Sequence, residues 1–260
     1  MSGQVRVERH GTLGWIIFDH PQRRNAISAE MWRAIPAAAQ TLDEDPDVRV
    51  VIMRGAGDVA FVSGADISEF EHSRSGVGAE EYDQQNARAF VALATLRKPL
   101  IALIHGFCVG GGCALSLTAD LRYAADDAAF AIPAARLGLG YNAAGLEMLV
   151  NIVGYAAAKE IFFTARRFTA AEAFHMGLVN RVVPKAELDA CVQRTAEEIA
   201  SNAPLTIRSA KLILGELTRE PVHRNQAAIA DSIRACYAST DYAEGVRAFL
   251  EKRRPDFKGR

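Results

Sequence analysis

The sequence predicts an α/β body over residues 1–185, followed by a region of helices only over residues 186–260. In the first part, short runs rich in β-branched residues alternate with amphipathic helical segments, as far as Pro184. The second part contains amphipathic segments separated by short turns and no strand pattern. Half of the 260 residues are hydrophobic, so the chain can bury a large core.

Composition and charge exclude several classes of protein. The 30 basic and 31 acidic residues give a net charge of -1, which argues against binding nucleic acid or a membrane surface through bulk charge. The four cysteines form no CxxC pair and have no histidine at metal-ligand spacing, so we expect no metal site and no disulfide framework. These features, and an N-terminus without a secretory apolar stretch, predict a cytoplasmic protein.

The elements of the first hundred residues follow from local patterns. Apolar alternation around His10-Gly11-Thr12 predicts a β-hairpin with arms at 5–7 and 15–18. Ser28 is the predicted N-cap of the next helix. Polar, glycine-containing residues over 71–85 predict a flexible segment. The remaining predictions are helices over 29–42 and 86–96, a buried strand over 48–54 and a short strand at 60–62.

The glycine-rich stretch 98–120 is the most informative part of the chain. An apolar run breaks at Gly110, Gly111 and Gly112 and then resumes, which is typical of a buried strand, a tight turn and a helix N-terminus. Glycine lets the backbone approach a ligand, and the helix dipole favours negative charge, so we predict an anion site. Residues 100–119 carry no formal charge and are long enough to span a bilayer, but His105 and the glycines interrupt such a helix. We therefore expect no membrane span.

The second half is predicted in the same way. Gly154 separates two helices, one with an apolar face before it and one that ends near Thr164. Strands are predicted at 121–124, 129–132 and 178–183, with a helical turn at 168–176 between the last two. The predicted C-terminal helices cover 188–201, 204–217, 221–237 and 242–252.

Six segments, in this order, resemble the crotonase, or enoyl-CoA hydratase/isomerase, superfamily. They are PQRRNAIS at 21–28, FVSGADISEF at 61–70, HGFCVGGGCALSLTAD at 105–120, AAFAIPAARLGLG at 128–140, FTARRFTAAEAFHMGLVNRVVP at 163–184 and EGVRAFLEKRRPDF at 244–257. The resemblance implies an α/β spiral of strand-strand-helix units with a helical C-terminal trimerisation region. It also implies a homotrimer or a dimer of trimers, a coenzyme A thioester as substrate, and no separate cofactor.

The resemblance also implies where the site residues lie. The backbone N–H groups of Ala65 and Gly111 would stabilise a thioester enolate. Arg23 and Arg24 would lie near the CoA phosphates, with solvated surface charge as the competing interpretation. The other implied CoA contacts are Ser63, Ala65, Asp66 and Ile67, together with Phe249 and Lys252 across a subunit interface.

The sequence departs from the hydratase pattern at both acid-base positions. Hydratases of this family carry two glutamates, and the corresponding residues here are Ala114 and Ala134. Losing both should leave a slow hydratase at best. Asn142 occupies a place where some relatives carry aspartate, and an amide can orient a water molecule but is no base. Tyr141 either donates a hydrogen bond into the pocket or packs in its wall.

One glutamate, three histidines and one glycine-containing pattern are expected to have no catalytic role. We expect Glu147 to be solvated or at a subunit interface, and we expect His105, His175 and His223 to be structural. The pattern at 138–143 resembles a dinucleotide-binding fingerprint but lacks a preceding long strand, so we interpret it as accidental.

Three functional hypotheses follow. The favoured hypothesis is an enzyme that acts on a CoA thioester through an enolate. A second is a non-catalytic acyl-CoA-binding relative that has kept the pocket. The third is an α/β-hydrolase with Cys108 as its nucleophile, because residues 106–110 fit a G-x-nucleophile-x-G turn.

Overall fold

The strands of the body form two sheets. A computed structural model of the protein describes residues 3–66 and 77–260, with side chains for all of these except 77–80. The strands are β1 (Gln4–His10), β2 (Leu13–Asp19), β3 (Val50–Gly55), β4 (Ala60–Val62), β5 (Leu100–Ile104), β6 (Phe107–Val109), β7 (Leu121–Ala125), β8 (Ala129–Ala131), β9 (Phe168–Thr169) and β10 (Arg181–Val183). Their order is β1-β2-β3-β5-β7-β10 in the large sheet and β4-β6-β8-β9 in the small one.

Nine α-helices lie in the described parts of the chain. They are α1 (Ala29–Glu44), α2 (Val77–Ala94), α3 (Gly111–Leu117), α4 (Ala143–Thr164), α5 (Ala170–His175), α6 (Leu188–Ala200), α7 (Pro204–Leu217), α8 (Gln226–Tyr237) and α9 (Thr240–Leu250). A strand of the large sheet, a strand of the small sheet and a helix follow one another three times, in β3-β4-α2, β5-β6-α3 and β7-β8-α4. This is the predicted spiral of strand-strand-helix units.

The strand pairing reflects this repeat. Consecutive large-sheet strands β2, β3, β5, β7 and β10 are parallel, and so are β4, β6 and β8 of the small sheet. Parallel neighbours need a crossover connection, which the intervening helices provide. Among the described strands, two neighbouring pairs are antiparallel. They are the predicted hairpin β1-β2 at one edge of the large sheet and the pair β8-β9 at one edge of the small sheet. The ends of the small-sheet strands therefore deliver their loops to one region.

Several helix boundaries follow from local chemistry. Ser28 caps α1 as predicted, since its Oγ accepts a hydrogen bond from Met31 N at 3.2 Å. Gly154 has φ 74° and breaks α4 into two helical parts, as predicted. The prediction for 221–237 was wrong at its start, because Pro221–His223 form a 3-10 turn and the helix begins at Gln226.

Two predictions in the body were also wrong in part. Residues 77–85, expected to be flexible, belong to α2, because buried Tyr82 begins an apolar helix face that continues through Ala89 and Leu93. The remainder of that expected segment, 71–76, lies outside the described residues. The predicted helical turn at 168–176 begins instead as β9, whose Phe168 pairs with Phe130 of β8.

Two hydrophobic clusters cover the faces of the large sheet. One includes Trp32 of α1, Leu93 of α2 and Phe61 of β4 between the two sheets. The other packs Leu188 and Val192 of α6 against the opposite face. The first helix beyond residue 185 is therefore part of the core of the body, whereas α8 contributes no buried residue.

The uncharged stretch 100–119 is divided among the strands β5 and β6 and a short helix. Leu100–Ile104 lies buried in the large sheet, and Gly111–Leu117 forms two turns of helix. Across the described ranges, no helix combines the length and the apolar character needed to cross a membrane.

Candidate active site

A cavity of about 820 Å³ lies where the small-sheet loops meet α1, α2, α3 and the start of α4. Its wall includes Ala65 after β4, Gly111 at the start of α3, and Tyr141 before α4. Residues 218–220, after α7, also line it. The topology therefore gathers segments that are far apart in the sequence around one site.

Ala65 lines the cavity and is held by a bridge to Ile27. Ile27 N donates to Gly64 O at 2.9 Å, and Asp66 N donates to Ile27 O at 3.0 Å. The residues before and after Ala65 are therefore both hydrogen-bonded to Ile27. No described backbone carbonyl accepts the N–H of Ala65. The loop thus presents a donor whose direction is set by its neighbours.

Gly111 lies beside this donor. It is the first residue of α3, so its N–H has no acceptor within the helix. A Cβ placed on Gly111 would lie 3.8 Å from Ala65 N. The two backbone donors predicted from the sequence are therefore neighbours in the wall of the cavity.

The neighbouring glycines serve packing. A Cβ on Gly112 would lie 2.2 Å from Val62 O, and one on Gly106 would lie 1.9 Å from Val59 O. Any side chain at either position would displace β4 or the residues before it. These glycines let the strand and helix that carry Gly111 approach β4 closely, which in turn positions Ala65.

Two alanines at the predicted acid-base positions contribute an apolar wall. Ala114 in α3 and Ala134 in a 3-10 turn both line the cavity, and they are 6% and 4% exposed. Buried Ile132 lies in the same wall. Their methyl groups can neither exchange a proton nor hold a water molecule.

Tyr141 and Asn142 both line the cavity, but each has a structural contact. The Tyr141 ring packs edge to face on Phe162, with centroids 4.9 Å apart. Asn142 is the N-cap of α4, where its Oδ1 accepts a hydrogen bond from Gly145 N at 2.8 Å. Glu147 lies exposed on the cavity wall.

The predicted CoA-binding residues meet at a corner beside Ala65. Ser63 N donates to Arg24 O and Ser63 Oγ to Arg23 O, each at 3.1 Å. Arg23 Nη1 lies 3.8 Å from Asp66 Oδ1, and the Arg24 guanidinium lies 4.8 Å from the centre of the Phe107 ring. Ile67 lies outside the described residues. The corner thus carries two exposed arginines next to one of the two backbone donors.

Phe249 and Lys252 are not among the described residues that line the cavity. Phe249 is 84% exposed and lines a second, apolar groove of about 730 Å³ between α7, α8 and α9. Other apolar residues of this groove include Leu205, Ile213, Ile233, Tyr242, Val246 and Leu250.

Sequence reasoning missed one side of the cavity altogether. Trp32 of α1 and Tyr82, Asp83, Asn86 and Phe90 of α2 line this side. Residues 82, 86 and 90 have the spacing of one helix face. The predicted flexible segment 71–85 separates residue 82 from the other two, so the sequence prediction does not include this face. Trp32 carried no signal of its own, because its position depends on the packing of α1 against α2.

The hydrolase hypothesis is wrong. The Cys108 side chain is fully buried in β6, and burial, together with a hydrogen bond to Cys113, raises the pKa of the Cys108 thiol. A buried thiol of this kind cannot attack a bound substrate. All four cysteines are free thiols. The stretch 138–143 follows a 3-10 turn instead of a long strand, consistent with an accidental fingerprint.

His105 supports the strand that leads to Gly111. Its Nε2 lies 2.7 Å from Asp189 Oδ2 of α6, and Arg54 of β3 forms an ion pair with the same carboxylate. The hydrogen bond from His105, with the charge of Arg54, lowers the pKa of Asp189. This cluster ties β3, β5 and α6 together behind the cavity.

The chain is similar to known proteins over nearly its whole length. Residues 8–260 match the sequence model of the family described as "Enoyl-CoA hydratase/isomerase". The chain is 35% identical to a crotonyl-CoA hydratase of Syntrophomonas wolfei over 97% of each chain. It is 36% identical to a peroxisomal Delta(3,5)-Delta(2,4)-dienoyl-CoA isomerase of Arabidopsis thaliana, over 97% of this chain and 95% of the other.

A solved structure shows the same likeness in three dimensions. The crystal structure of an enoyl-CoA hydratase/carnithine racemase from Magnetospirillum magneticum aligns with a TM-score of 0.94 at 36% identity, over 98% of this chain and 96% of the other. The chain therefore belongs to the enoyl-CoA hydratase/isomerase family, as its six motifs predicted, and is an enzyme of the hydratase/isomerase type.

Proposed function

We propose that the protein binds an acyl-CoA thioester in the 820 Å³ cavity and stabilises its enolate oxygen between the N–H groups of Ala65 and Gly111. The observation that supports this most is the pair of neighbouring backbone donors, neither of which has a described backbone acceptor. Donors fixed before the reaction gain most as charge develops on the oxygen. Each such donor typically contributes about a hundred- to a thousandfold in rate.

The CoA portion is proposed to lie along the corner formed by Arg23, Arg24 and Ser63. The two exposed guanidinium groups suit phosphate oxygens, because arginine presents paired donors with a permanent charge. This corner adjoins Ala65, so a thioester held there would extend past the two backbone donors into the cavity.

Hydration is not the proposed reaction. Adding water across a double bond requires a base that takes a proton from water and an acid that delivers one to Cα. Ala114 and Ala134 supply neither. The carboxylates of Asp83 and Glu147, on the described part of the wall, are the groups proposed to exchange a proton with Cα of the bound acyl group. Tyr141 and Asn142 are proposed to position the acyl group from the start of α4.

A second candidate function is a non-catalytic acyl-CoA-binding protein. The observation in its favour is the buried, apolar wall at Ala114 and Ala134, in place of a pair of acidic groups. Both candidates require the same binding site. They differ in whether the bound thioester loses its α-proton.

We also propose that the chain assembles as a homotrimer or a dimer of trimers. The 730 Å³ groove of α7–α9 and the exposed side chains of Phe249 and Leu250 form an apolar surface that a second copy would cover. In such an assembly Phe249 and Lys252 would reach the CoA of a neighbouring subunit. Light scattering of Phe249→Glu tests this, since the variant should dissociate while the wild type remains oligomeric.

Calorimetry with acetyl-CoA and crotonyl-CoA, followed by an assay of crotonyl-CoA hydration, tests the main proposal. We expect both thioesters to bind and hydration to be at least a hundredfold slower than in a hydratase with both glutamates. Absence of binding would overturn the proposed site, and a hydration rate like that of such an enzyme would overturn the proposed reaction.

A further inference from the structure

The side of the cavity formed by α1 and α2 is aromatic and internally hydrogen-bonded. Trp32 Nε1 donates to Tyr82 Oη at 3.0 Å, and the two side chains are 1% and 3% exposed. This bond satisfies the single polar atom of the indole. The indole therefore contributes only ring carbons to the cavity wall.

A third ring extends this wall. Phe90 packs edge to face on Trp32, with ring centroids 5.4 Å apart and an angle of 74° between the planes. Edge-to-face packing of this kind fixes both rings relative to one another. We call Trp32, Tyr82 and Phe90 the aromatic wall.

The aromatic wall begins next to the two backbone donors. A Cβ placed on Gly111 would lie 3.2 Å from Trp32 Cζ2 and 3.8 Å from Ala65 N. An acyl group whose carbonyl oxygen is held by Ala65 and Gly111 would therefore start beside the Trp32 ring. Its next carbons would lie along the aromatic wall.

Four other residues of the cavity lining are small or apolar. Ala114 and Ala134 leave open the space that two glutamate side chains would fill, and Ile132 and Met148 line the same region. A polar acyl group would lose its hydration there without a fixed partner from these side chains. A flat apolar group would instead bury its surface and meet ring edges and faces.

We propose that the substrate is a CoA thioester of an aryl-substituted acid, and that Trp32 is the residue that determines this specificity. The inference rests on the proposed function, because it takes the thioester carbonyl to lie between Ala65 and Gly111. Alanine at positions 114 and 134 then leaves room for a ring where related hydratases hold water.

Calorimetry with saturated thioesters, which have no double bond to hydrate, tests the preference for one acyl group over another. Wild-type protein should bind 3-phenylpropanoyl-CoA about tenfold or more tightly than butanoyl-CoA, since only the former buries a ring. Trp32→Leu should reduce this ratio towards one. Trp15→Leu, on β2 and outside the cavity lining, is the matched control and should keep the wild-type ratio.

A second variant and a fluorescence titration keep the proposal testable if Trp32→Leu does not fold. Phe90 is only half-buried, so Phe90→Leu should fold and reduce the same ratio at least threefold, even if Trp32→Leu does not fold. The chain has two tryptophans, so in Trp15→Phe the fluorescence comes from Trp32 alone. It should change on titration with 3-phenylpropanoyl-CoA and much less with butanoyl-CoA.

The outcomes separate the two proposals. Equal affinity for the two thioesters in the wild type, or a ratio that both Trp32→Leu and Phe90→Leu leave unchanged, would overturn the aromatic specificity while acyl-CoA binding stood. Failure of both thioesters and of free CoA to bind would overturn the proposed function itself, and the specificity with it.

Discussion

The cavity has one wall built from backbone groups and another built from side chains. The first presents the N–H groups of Ala65 and Gly111, which are set by a bridge to Ile27 and by the start of α3. The second presents the side chains of Ala114, Ala134 and the aromatic wall. The backbone wall survives most substitutions that preserve the fold, proline at a donor position excepted, whereas the side-chain wall can change without altering the fold. The proposed oxyanion site therefore depends on the first wall, and the proposed substrate and reaction depend on the second.

The largest expected effect comes from changing the side-chain wall. Introducing two carboxyl groups in Ala114→Glu/Ala134→Glu should raise crotonyl-CoA hydration about a hundred- to ten-thousandfold, because a positioned acid or base contributes a factor of that size. The assay is the disappearance of the enoyl chromophore. The matched control, Ala114→Gln/Ala134→Gln, has the same shape and no titrating group, so it should stay at the wild-type level. No gain in the glutamate variant would mean that the backbone wall is not a working oxyanion site.

The next effect comes from removing one backbone donor. Gly111→Pro should lower the rate of α-proton exchange of a bound acyl-CoA about a hundred- to a thousandfold, because proline has no N–H. The first helical position accepts proline, so α3 should persist. Gly111→Ala also adds a Cβ near Trp32 but keeps the N–H, and should retain most of the exchange. Equal loss in both variants would point to crowding against Trp32 instead of the missing donor.

A smaller effect is expected from the carboxylates on the cavity wall. Asp83→Asn/Glu147→Gln should lower α-proton exchange about tenfold or more, since an amide cannot accept the proton. Binding of the same thioester should change little, which calorimetry will show. A double variant that exchanges as fast as the wild type would remove both residues from proton transfer.

The smallest effect concerns the support behind the backbone wall. Asp189 has a lowered pKa, so its contribution to stability is present above the unfolded-state pKa near 3.9 and is lost as the pH falls through the folded-state value. At pH 7, Asp189→Asn should lower the free energy of unfolding by about 1 kcal/mol, a modest value because the carboxylate is half exposed. Urea denaturation should show this difference shrinking towards pH 3. A difference that is independent of pH would contradict the role assigned to the charge.

The parts of the fold predicted from the sequence are those with strong local signals. Ser28, Gly154 and the β1-β2 hairpin each act through their own turn or cap chemistry, so neighbouring residues suffice to identify them. The first residues of α2 include few apolar side chains, so they show no clear helical spacing. Strand β9 has two residues, which is too short to show the alternation typical of a strand. Both elements are stabilised by distant packing partners.

The residues of the candidate site also differ in how far the local sequence identifies them. Ala65 and Gly111 were predicted from their positions in two segments that resemble family motifs, and the glycine run at 110–112 independently predicted an anion site. The cap formed by Asn142 was also readable in principle, since asparagine before a helix commonly accepts a hydrogen bond from its first turn. The contact of Trp32 with Tyr82 joins residues fifty positions apart in the chain, and nothing local to either residue indicates it.

Deuterium incorporation at Cα of 3-phenylpropanoyl-CoA in D₂O, followed by mass spectrometry, tests the central claim most directly. Enolate formation between Ala65 and Gly111 replaces an α-proton with solvent deuterium whatever the complete reaction is. We expect the wild-type protein to incorporate deuterium well above the rate without protein. A thioester that binds tightly and gains no deuterium above that rate would contradict enolate chemistry and leave an acyl-CoA-binding protein without catalysis.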